Sequence, residues 1–396
     1  MKAKLVSILV AVALIGGLTS AACCPTEVTP SIKVGVLASL SYPYGEAPMQ
    51  IRDGIELAFA EVNYTVAGRD IELIIEDDGA DPGLTLTKTR KLIEEDEVDV
   101  IIGPWFSSQG LAIRDYINES QILWISPMTS SRSFIEEQYT KYFFRSSYNS
   151  GQVNAVGGYV AYAVKGYRNA VIIAADYAGG HDAAEGFKLV FEGLGGTVIQ
   201  EIYTPMGTAD YGSYMAQIDI ENADFVWSFH VGADAILVVK ALDDYGIMDQ
   251  VPMFFSAATV ELAYLPEQGD SALGIEDTSH YSAALNTTEN NRFVQAVWDN
   301  YQEQATLYSE HGYVAARMLI LALEEVDGDV EDVDTLIEVL ENLEFEAPRG
   351  TIRFELHSPV QSVYHRVVEK VDDELQNTVI DTYPDIEPVW LPPELR

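Results

Sequence analysis

The chain has 396 residues, of which 62 are Asp or Glu and 23 are Lys or Arg, so its formal net charge is −39. With 48% hydrophobic residues it can form packed cores, which excludes a disordered chain, and its length predicts two or more domains. The charge argues against a nucleic-acid partner and against a basic membrane-docking face, because both need clustered Lys and Arg.

The first residues have the pattern of an export signal. Lys2 and Lys4 precede an apolar stretch over 5–18, and the small residues 20–22 (SAA) follow it. This stretch is shorter than the roughly 20 residues that a membrane-spanning helix needs. We therefore predict a signal peptide over 1–22 and an exported protein, because no later stretch is long and apolar enough to span a membrane.

Both cysteines of the chain, Cys23 and Cys24, come directly after this signal. The rest of the chain therefore has no disulfide framework, no cysteine-based metal site and no thiol nucleophile. A cysteine after a small-residue cleavage site resembles the lipobox of exported lipoproteins. A lipid on Cys23 would anchor the protein to the outer face of the membrane through a tether over 23–31, while plain secretion or an uncleaved anchor remains an alternative.

Strands and helices alternate over residues 32–130. Strands are predicted over 32–38, 71–76, 98–102 and 122–125, and helices over 50–63, over 82–93 and from Ser107 or Ser108 through 117. Strands rich in Val and Ile that alternate with helices are typical of a parallel sheet covered on both faces. Because such crossovers are right-handed, the loops after the strands should gather at one edge.

The same alternation begins again after residue 145 and predicts a second sheet of similar size. Strands are predicted over 170–174, 197–202, 224–229 and 251–255, and helices over 150–164, 182–194, 211–221 and 233–245. Three helices follow over 289–304, 309–326 and 331–342, and then strands over 351–354, 363–371 and 375–380. The last strands have the period-two alternation of an antiparallel edge.

The chain lacks the common catalytic and metal motifs. It has no nucleophile elbow, no phosphate-binding glycine loop and no H-E-x-x-H, and its six histidines show no ligand spacing. Asp77 and Asp78 follow a strand, where a catalytic acid could stand, but a turn or cap role is the plainer interpretation. Three sequons, at Asn63, Asn118 and Asn286, are candidate glycan sites in an exported chain.

Polar loops follow three strands of the first sheet. They are residues 41–45 (SYPYG), 103–108 (GPWFSS) and 126–131 (SPMTSS). Open α/β folds bind ligands where such loops meet. Ser107 and Ser108 would lie at a helix N-terminus, whose free N–H groups and dipole attract anions. This pattern predicts a site for a small carboxylate, while simple capping remains an alternative for each serine.

Aromatic residues accompany the hydroxyl groups in these loops. Tyr44, Trp105 and Phe106 are candidate walls for an apolar ligand. For Trp105 and Phe106, packing in the core is an equally good interpretation.

Nine segments carry a family resemblance through their order and spacing. They are IKVGVLASLS, RDGIELAFAEVN, GRDIELIIEDDGADP, VDVIIGPWFSS, ISPMTSS, YFFRSSYNSGQ, DYAGGHDAAEGFK, EHGYVAARMLILALEE and APRGTIRFELHSPVQSVYHRVVEKV. With these segments the chain resembles the extracellular solute-binding proteins of ABC importers, and more narrowly their branched-chain amino-acid (Leu/Ile/Val) type. The resemblance covers residue 32 to about residue 380.

The resemblance implies an α/β fold of two Rossmann-like lobes with parallel sheets, joined by a three-crossing hinge and closing on a ligand as a clamshell. Lobe 1 would comprise 32–147 plus 283–357, and lobe 2 would comprise 148–282 plus 358–396. In lobe 1 the family's carboxylate-binding hydroxyls fall on Ser107 and Ser130, and a backbone contact falls on Met128.

In lobe 2 the resemblance is less regular. The family's ligand-binding tyrosine falls on Gly179, so Tyr177 is the neighbouring candidate. The family's second aromatic residue falls on Val231, with Phe229 and His230 beside it. Contacts from Tyr177, Phe229 and His230 are therefore implied by proximity to the family positions.

One departure bears on the ligand. The acidic residue that receives the ligand's ammonium group in the family falls on Ala258, and Glu261 lies three residues further on. A buried ammonium without a carboxylate costs several kcal/mol, on the order of the desolvation of one ion. Either another acid replaces it, or the ligand is a small carboxylate, amide or aromatic acid.

The implied function is the solute-binding component of an ABC importer. It would capture a small amino acid or a related carboxylate or amide and deliver it to the permease subunits, with no catalysis, no cofactor and no metal. Two alternatives remain open. In the first, the same clamshell is a ligand sensor that passes occupancy to a receptor. In the second, the chain is a secreted α/β enzyme of unknown reaction.

Overall fold

The structure, a computed structural model, describes residues 30–41 and 47–396, which form a mixed α/β protein. Its strands are β1 (Ile32–Ala38), β2 (Thr65–Val66), β3 (Arg69–Asp77), β4 (Val100–Ile102), β5 (Leu123–Ser126), β6 (Phe143–Arg145), β7 (Asn169–Ala175), β8 (Thr197–Thr204), β9 (Phe225–Phe229), β10 (Phe254–Ser256), β11 (Glu276–Ser279), β12 (Glu344–Ala347), β13 (Gly350–Glu355), β14 (Ser358–Val371) and β15 (Glu374–Ile386).

The helices lie between these strands. They are α1 (Ala47–Glu61), α2 (Pro82–Glu94), α3 (Ser107–Ser120), α4 (Ser150–Tyr159), α5 (Ala178–Gly193), α6 (Gly212–Met215), α7 (Ala233–Asp244), α8 (Leu265–Gln268), α9 (Thr288–Tyr301), α10 (Leu307–Glu325) and α11 (Val333–Glu341). Helix α4 continues into a π-helical turn over Val160–Val164. No helix of the described residues is both long and apolar enough to cross a membrane.

The first sheet has the strand order β2-β3-β1-β4-β5-β6. Strands β3, β1, β4, β5 and β6 are parallel, and β2 adds a short antiparallel edge. All three residues of β4 are fully buried, as expected for a strand covered by helices on both faces. The predicted parallel sheet is confirmed, with β6 as an additional strand that the sequence did not predict.

The second half of the chain also forms a parallel sheet, in the order β8-β7-β9. A single parallel bridge between Val226 and Met253 leads on to β10, which pairs with β11 in parallel. Strand β14 then runs antiparallel to β11, β13 and β15, which confirms the predicted antiparallel end. The helix predicted over 211–221 is wrong in length, because only the four residues of α6 are helical.

The hydrophobic core explains how the two halves are organised. Alternate residues of β7 point to opposite faces, so Ile172 joins one cluster and Ile173 another, and both faces of this sheet are covered. Helices α9 to α11 pack against the first sheet instead. The chain passes between the two groups after β6, after β11 and between β13 and β14. The lobe boundaries at 147/148, 282/283 and 357/358 stay a prediction.

Helices α1 and α10 pack at a contact between glycines. A Cβ atom added to Gly312 would lie 1.9 Å from the carbonyl oxygen of Ile51. A Cβ atom added to Gly54 would lie 2.0 Å from the carbonyl oxygen of Ser309. The backbones of the two helices therefore approach so closely that only glycine fits at either position.

Candidate functional site

A small cavity lies where loops from both sheets meet. It adjoins the carboxyl ends of β4, β5, β7 and β9, which is the edge at which parallel α/β sheets bind ligands. The side chains around it are those of Trp105, Phe106, Ser107, Met128, Ser130, Tyr177, Phe229 and Val231. The cavity itself is only about 10 Å³, roughly the space of one water molecule, so a solute fits only when the surrounding side chains move apart.

The cavity brings together most of the residues that the sequence singled out. Six of the predicted binding residues line it, namely Trp105, Ser107, Met128, Ser130, Tyr177 and Phe229. Phe106, which was predicted as a candidate wall, lines it as well, and so does Val231. Val231 was not predicted as a contact, although it occupies the position of the family's second aromatic residue. That these residues contact a solute stays a prediction.

Two predicted residues do not line the cavity, and a third lies outside the described residues. Ser108 is exposed, because one residue further along α3 turns the side chain away from the cavity. His230 is fully buried behind it, with Nε2 3.0 Å from Thr204 Oγ1 and Nδ1 2.9 Å from Ser228 Oγ. Tyr44 lies outside the described residues, as does Cys23.

Asp77 and Asp78 have the turn role rather than a catalytic one. The Oδ1 atom of Asp77 accepts a hydrogen bond from the backbone N–H of Gly79 at 3.0 Å. Asp78 Oδ1 accepts one from Ala80 N at 3.0 Å and one from Ser39 Oγ at 2.6 Å. These bonds hold the turn between β3 and α2, and neither carboxyl group lines the cavity.

The two cavity hydroxyls are arranged as donors. Ser107 Oγ accepts a hydrogen bond from the backbone N–H of Ser131 at 3.1 Å. Ser130 Oγ accepts one from the Ser150 hydroxyl at 3.2 Å. Each hydroxyl therefore has an acceptor position in use and its own proton left to donate. In α3 the N–H groups of Gln109 and Gly110 donate to the carbonyl oxygen of Phe106, both at 3.1 Å, which leaves those of Ser107 and Ser108 without an acceptor inside the helix.

Ser107 is not the cap of α3, which settles the alternative role for this serine. The capping position is Phe106, whose backbone N–H donates to Gln109 Oε1 at 2.9 Å. Ser107 is the first residue inside the helix, and its buried side chain faces the cavity.

Aromatic rings form the apolar walls. Trp105 and Phe106 stack with ring centroids 4.6 Å apart, and Tyr177 meets the ring of Phe106 edge-on at 6.0 Å. Tyr177 also lies 6.3 Å from the ring of Phe229. A Cβ atom at Gly179 would come within 2.7 Å of the Tyr177 ring, so glycine at this position makes room for that ring.

The lining described above contains no Asp or Glu. Ala258, at the family's acidic position, is buried among hydrophobic side chains. Glu261 is engaged elsewhere, because its Oε1 atom accepts the backbone N–H of Leu307 at 2.9 Å. Its Oε2 atom lies 3.7 Å from Arg366. Glu261 is thus an acceptor at the start of α10 rather than a ligand for an ammonium group in this cavity.

A second cluster of ionisable groups lies where the chain passes between the two halves. His280, Glu310 and His311 are fully buried and offer three metal-ligand atoms within 4.8 Å of one another. Sequence spacing does not indicate this cluster, since His280 follows β11 and His311 lies in α10, more than 30 residues later. Their Nε2 atoms are 2.7 Å apart, whereas a tetrahedral Zn²⁺ with bonds near 2.0–2.1 Å would separate them by about 3.3 Å. The positive charge of Arg349, 3.1 Å from Glu310, disfavours a metal cation here. The contact between His280 and His311 is therefore best described as a hydrogen bond from one imidazole to the other.

His230 is expected to make stability depend on pH. Burial lowers the pKa of His230 to about 3, whereas the unfolded value is about 6.5. The unfolded chain therefore binds a proton that folded His230 excludes, and stability is lost as the pH falls from 6.5 towards 3. Relative to the unsubstituted protein, His230→Gln should gain about 2 kcal/mol between pH 7 and pH 5 in urea unfolding. A stability difference that stays constant over this range would contradict the assignment.

Comparisons with known proteins agree on one family. A sequence model described as "Periplasmic binding protein" matches residues 31–372. The chain is 26% identical over 348 residues to Leu/Ile/Val-binding protein homolog 6 of Brucella melitensis, covering 86% of this chain and 88% of that one. The structure of an ABC transporter substrate-binding protein from Sphaerobacter thermophilus has a TM-score of 0.87 and 35% identity, covering 90% and 99%. An ABC transporter solute-binding protein from R. palustris, in complex with 4-hydroxybenzoate, has a TM-score of 0.86 and 29% identity, covering 91% and 98%.

Proposed function

Because this chain belongs to the periplasmic binding protein family, we propose that it captures a small carboxylate with an aromatic or branched apolar body and delivers it to an ABC permease. The family resemblance and the two-lobed α/β fold predicted from the sequence are confirmed. The chain is a solute-binding protein of the ABC-transporter type, and the members of this family bind solutes. The proposal concerns the class of solute and its delivery.

The observation that carries this proposal is the composition of the cavity wall. Ser107 and Ser130 present hydroxyl donors, and the rest of the described lining is aromatic or aliphatic. Charge-assisted hydrogen bonds from such donors to a carboxylate contribute about 1.5–3 kcal/mol each. An ammonium group would instead be buried without a counter-charge, which costs several kcal/mol, on the order of one uncompensated ion.

The walls favour a flat or branched apolar body. Four aromatic residues, Trp105, Phe106, Tyr177 and Phe229, line the cavity. Aromatic pairs gain roughly 0.5–1.5 kcal/mol beyond area burial, so a ring fits this environment well. The 4-hydroxybenzoate bound by the relative from R. palustris supports an aromatic acid. A branched-chain amino acid is the competing solute, because the relative from Brucella melitensis carries a Leu/Ile/Val-binding name.

Capture would follow from contacts made by both halves of the fold. Ser107 and Ser130 belong to loops of the first sheet, while Tyr177 and Phe229 follow strands of the second. A solute touching both sets favours the closed arrangement by its differential affinity for that state. Reversing a 99:1 preference for the open form takes about 5.5 kcal/mol, which a few buried polar contacts and one ring contact supply. The closed form is then what the permease recognises.

The proposed location is the outer side of the cytoplasmic membrane, with a lipid on Cys23. The first 29 residues lie outside the described part, so this proposal rests on the signal pattern and on the exported nature of the family. A Cys23→Ser variant should appear in the soluble extract or medium rather than in the membrane fraction. Unchanged membrane association of this variant would count against the anchor.

A panel of thermal-shift measurements tests the solute class. Benzoate, 4-hydroxybenzoate and isovalerate should raise the melting temperature, whereas benzylamine should not. A ligand at 100 times its dissociation constant adds about 2.7 kcal/mol of stability, which is easily measured. Stabilisation by leucine but by none of the simple carboxylates would refute the proposal and favour an amino-acid solute.

A further inference from the structure

Arg145 lies directly behind the hydroxyl groups of the cavity. It is the last residue of β6, and its side chain is fully buried. Its guanidinium donates to the carbonyl oxygen of Ser131 at 2.7 Å and to that of Ser130 at 3.5 Å. The cation thus touches the backbone of the loop whose Ser130 side chain lines the cavity.

This cation forms no ion pair within the described chain. Over residues 30–41 and 47–396, no carboxylate lies within 4.0 Å of Arg145, and its Nε atom has no hydrogen-bond acceptor. The other two fully buried arginines differ, because Arg349 pairs with Glu310 at 3.1 Å and Arg366 with Asp277 at 2.8 Å. A buried charge is normally paired, so Arg145 is an exception within this molecule.

The charge of Arg145 persists at neutral pH. Burial lowers its pKa to about 9, and the more distant carboxylate of Asp182 opposes part of this shift. The guanidinium also lies 5.5 Å from the ring of Phe143, which offers a weak cation–π contact but no counter-charge. A positive charge therefore stands behind the cavity at pH 7, and nothing within ion-pair distance in the described chain balances it.

We propose that Arg145 is a positioning residue that selects for a negatively charged solute: it holds the 130–131 loop and supplies the positive potential that a carboxylate in the cavity neutralises. This inference rests on the proposed function and specifies which side chain sets the charge of the solute. Arg145 acts through the loop and through its field, because its hydrogen bonds go to carbonyl groups and not into the cavity.

A chain of hydrogen bonds connects Arg145 to the Ser107 hydroxyl that lines the cavity. Arg145 donates to the Ser130 carbonyl at 3.5 Å, and the N–H of the same peptide group, that of Ser131, donates to Ser107 Oγ at 3.1 Å. The Ser107 proton is then left to point at the cavity. Bonds in such a chain polarise one another in a low-dielectric interior, so the Ser107 hydroxyl becomes a stronger donor to an anion.

The test compares a carboxylate with its uncharged isostere. Affinities for benzoate and benzamide, and for isovalerate and isovaleramide, are measured by calorimetry with the unsubstituted protein, Arg145→Met and Arg145→Lys. Arg132→Met is the matched control, since Arg132 is on the same loop but partly exposed and paired with Glu136. We expect at least a tenfold preference for the carboxylate in the unsubstituted protein and in Arg132→Met. In Arg145→Met this ratio should fall below threefold, and Arg145→Lys should retain most of it.

A merely structural role for Arg145 would weaken acid and amide alike and leave their ratio unchanged, which would overturn the inference. If the unsubstituted protein prefers no carboxylate over its amide, the proposed function fails together with the inference about Arg145.

A second measurement does not depend on the folding of a variant. In the unsubstituted protein, the Arg145 Nε–H resonance, assigned by through-bond correlation to the backbone amide of Arg145, should shift with the preferred carboxylate and not with the matched amide. An equal response to both would also overturn the inference.

Discussion

Gly312→Ala is expected to destabilise the protein by at least about 3 kcal/mol, at or above the upper end of overpacking effects. The new Cβ atom would lie 1.9 Å from the carbonyl oxygen of Ile51, where the clash is with backbone and no side-chain rotation relieves it. Helix α10 must then move away from α1, which opens a contact buried in the hydrophobic core around the first sheet. Single domains have only about 5–15 kcal/mol of stability, so a large fraction should be lost.

Urea unfolding at pH 7 measures this loss, and Gly83→Ala is its control. Gly83 is also helical, but it is exposed at the start of α2, and an added Cβ atom meets only the Asp81 side chain, at 3.2 Å. Alanine there should be neutral or stabilising by about 0.5–1 kcal/mol through helix propensity. If Gly312→Ala is as stable as Gly83→Ala, then the close approach of α1 and α10 is wrong.

The double variant Ser107→Ala/Ser130→Ala is expected to lose carboxylate binding by more than a hundredfold. Two charge-assisted hydrogen bonds are removed, about 1.5–3 kcal/mol each, and every 1.4 kcal/mol corresponds to roughly tenfold in affinity. The donor geometry supports this expectation, because both hydroxyls already accept from Ser131 or Ser150 and keep a proton for the solute. Calorimetry with benzoate measures the change.

The folding of this double variant must be checked, because Ser107→Ala leaves the buried Ser131 N–H without its acceptor, at a cost of about 1–3 kcal/mol. Ser120→Ala, at the far end of α3, serves as the control and should bind normally. Ser130→Thr keeps a hydroxyl and should retain most of the affinity. A folded double variant that binds benzoate as well as the Ser120→Ala control would show that the site lies elsewhere.

Much of the fold follows from hydrophobic periodicity. Strand β1 is recognisable because its apolar run is bounded by polar residues, and α2 because Pro82 stands at its first turn. Strand β6 was missed because three residues ending in a buried arginine carry no period. Helix α5 begins at Ala178, four residues before the predicted start at 182. The prediction began too late because Gly179 and Gly180 are poor helix formers, whereas close packing requires glycine at position 180. A Cβ atom at Gly180 would lie 1.9 Å from the carbonyl oxygen of Ala175.

The sequence was enough to predict those cavity residues whose positions depend only on the order and direction of the strands. Ser107 and Ser130 follow adjacent parallel strands, so their proximity needs only the rule that strand ends share an edge. Ser108 and His230 were misplaced by one residue, since a single step along a helix or strand end turns the side chain to another face. The unpaired Arg145 and the His280–His311 contact depend on side-chain packing between distant segments, about which local sequence is silent.

The acid-free cavity also affects how quickly a solute can be captured. The formal net charge of the chain is −39, so its long-range field repels an approaching anion. The hydrogen-bond donors of the cavity attract the anion only at close range. Dissolved ions screen the outer repulsion beyond about 8–10 Å but scarcely reach the buried guanidinium. Raising the ionic strength should therefore speed association and leave dissociation almost untouched. The protein would then collect its anion faster in brine than in fresh water, the reverse of ordinary electrostatic steering.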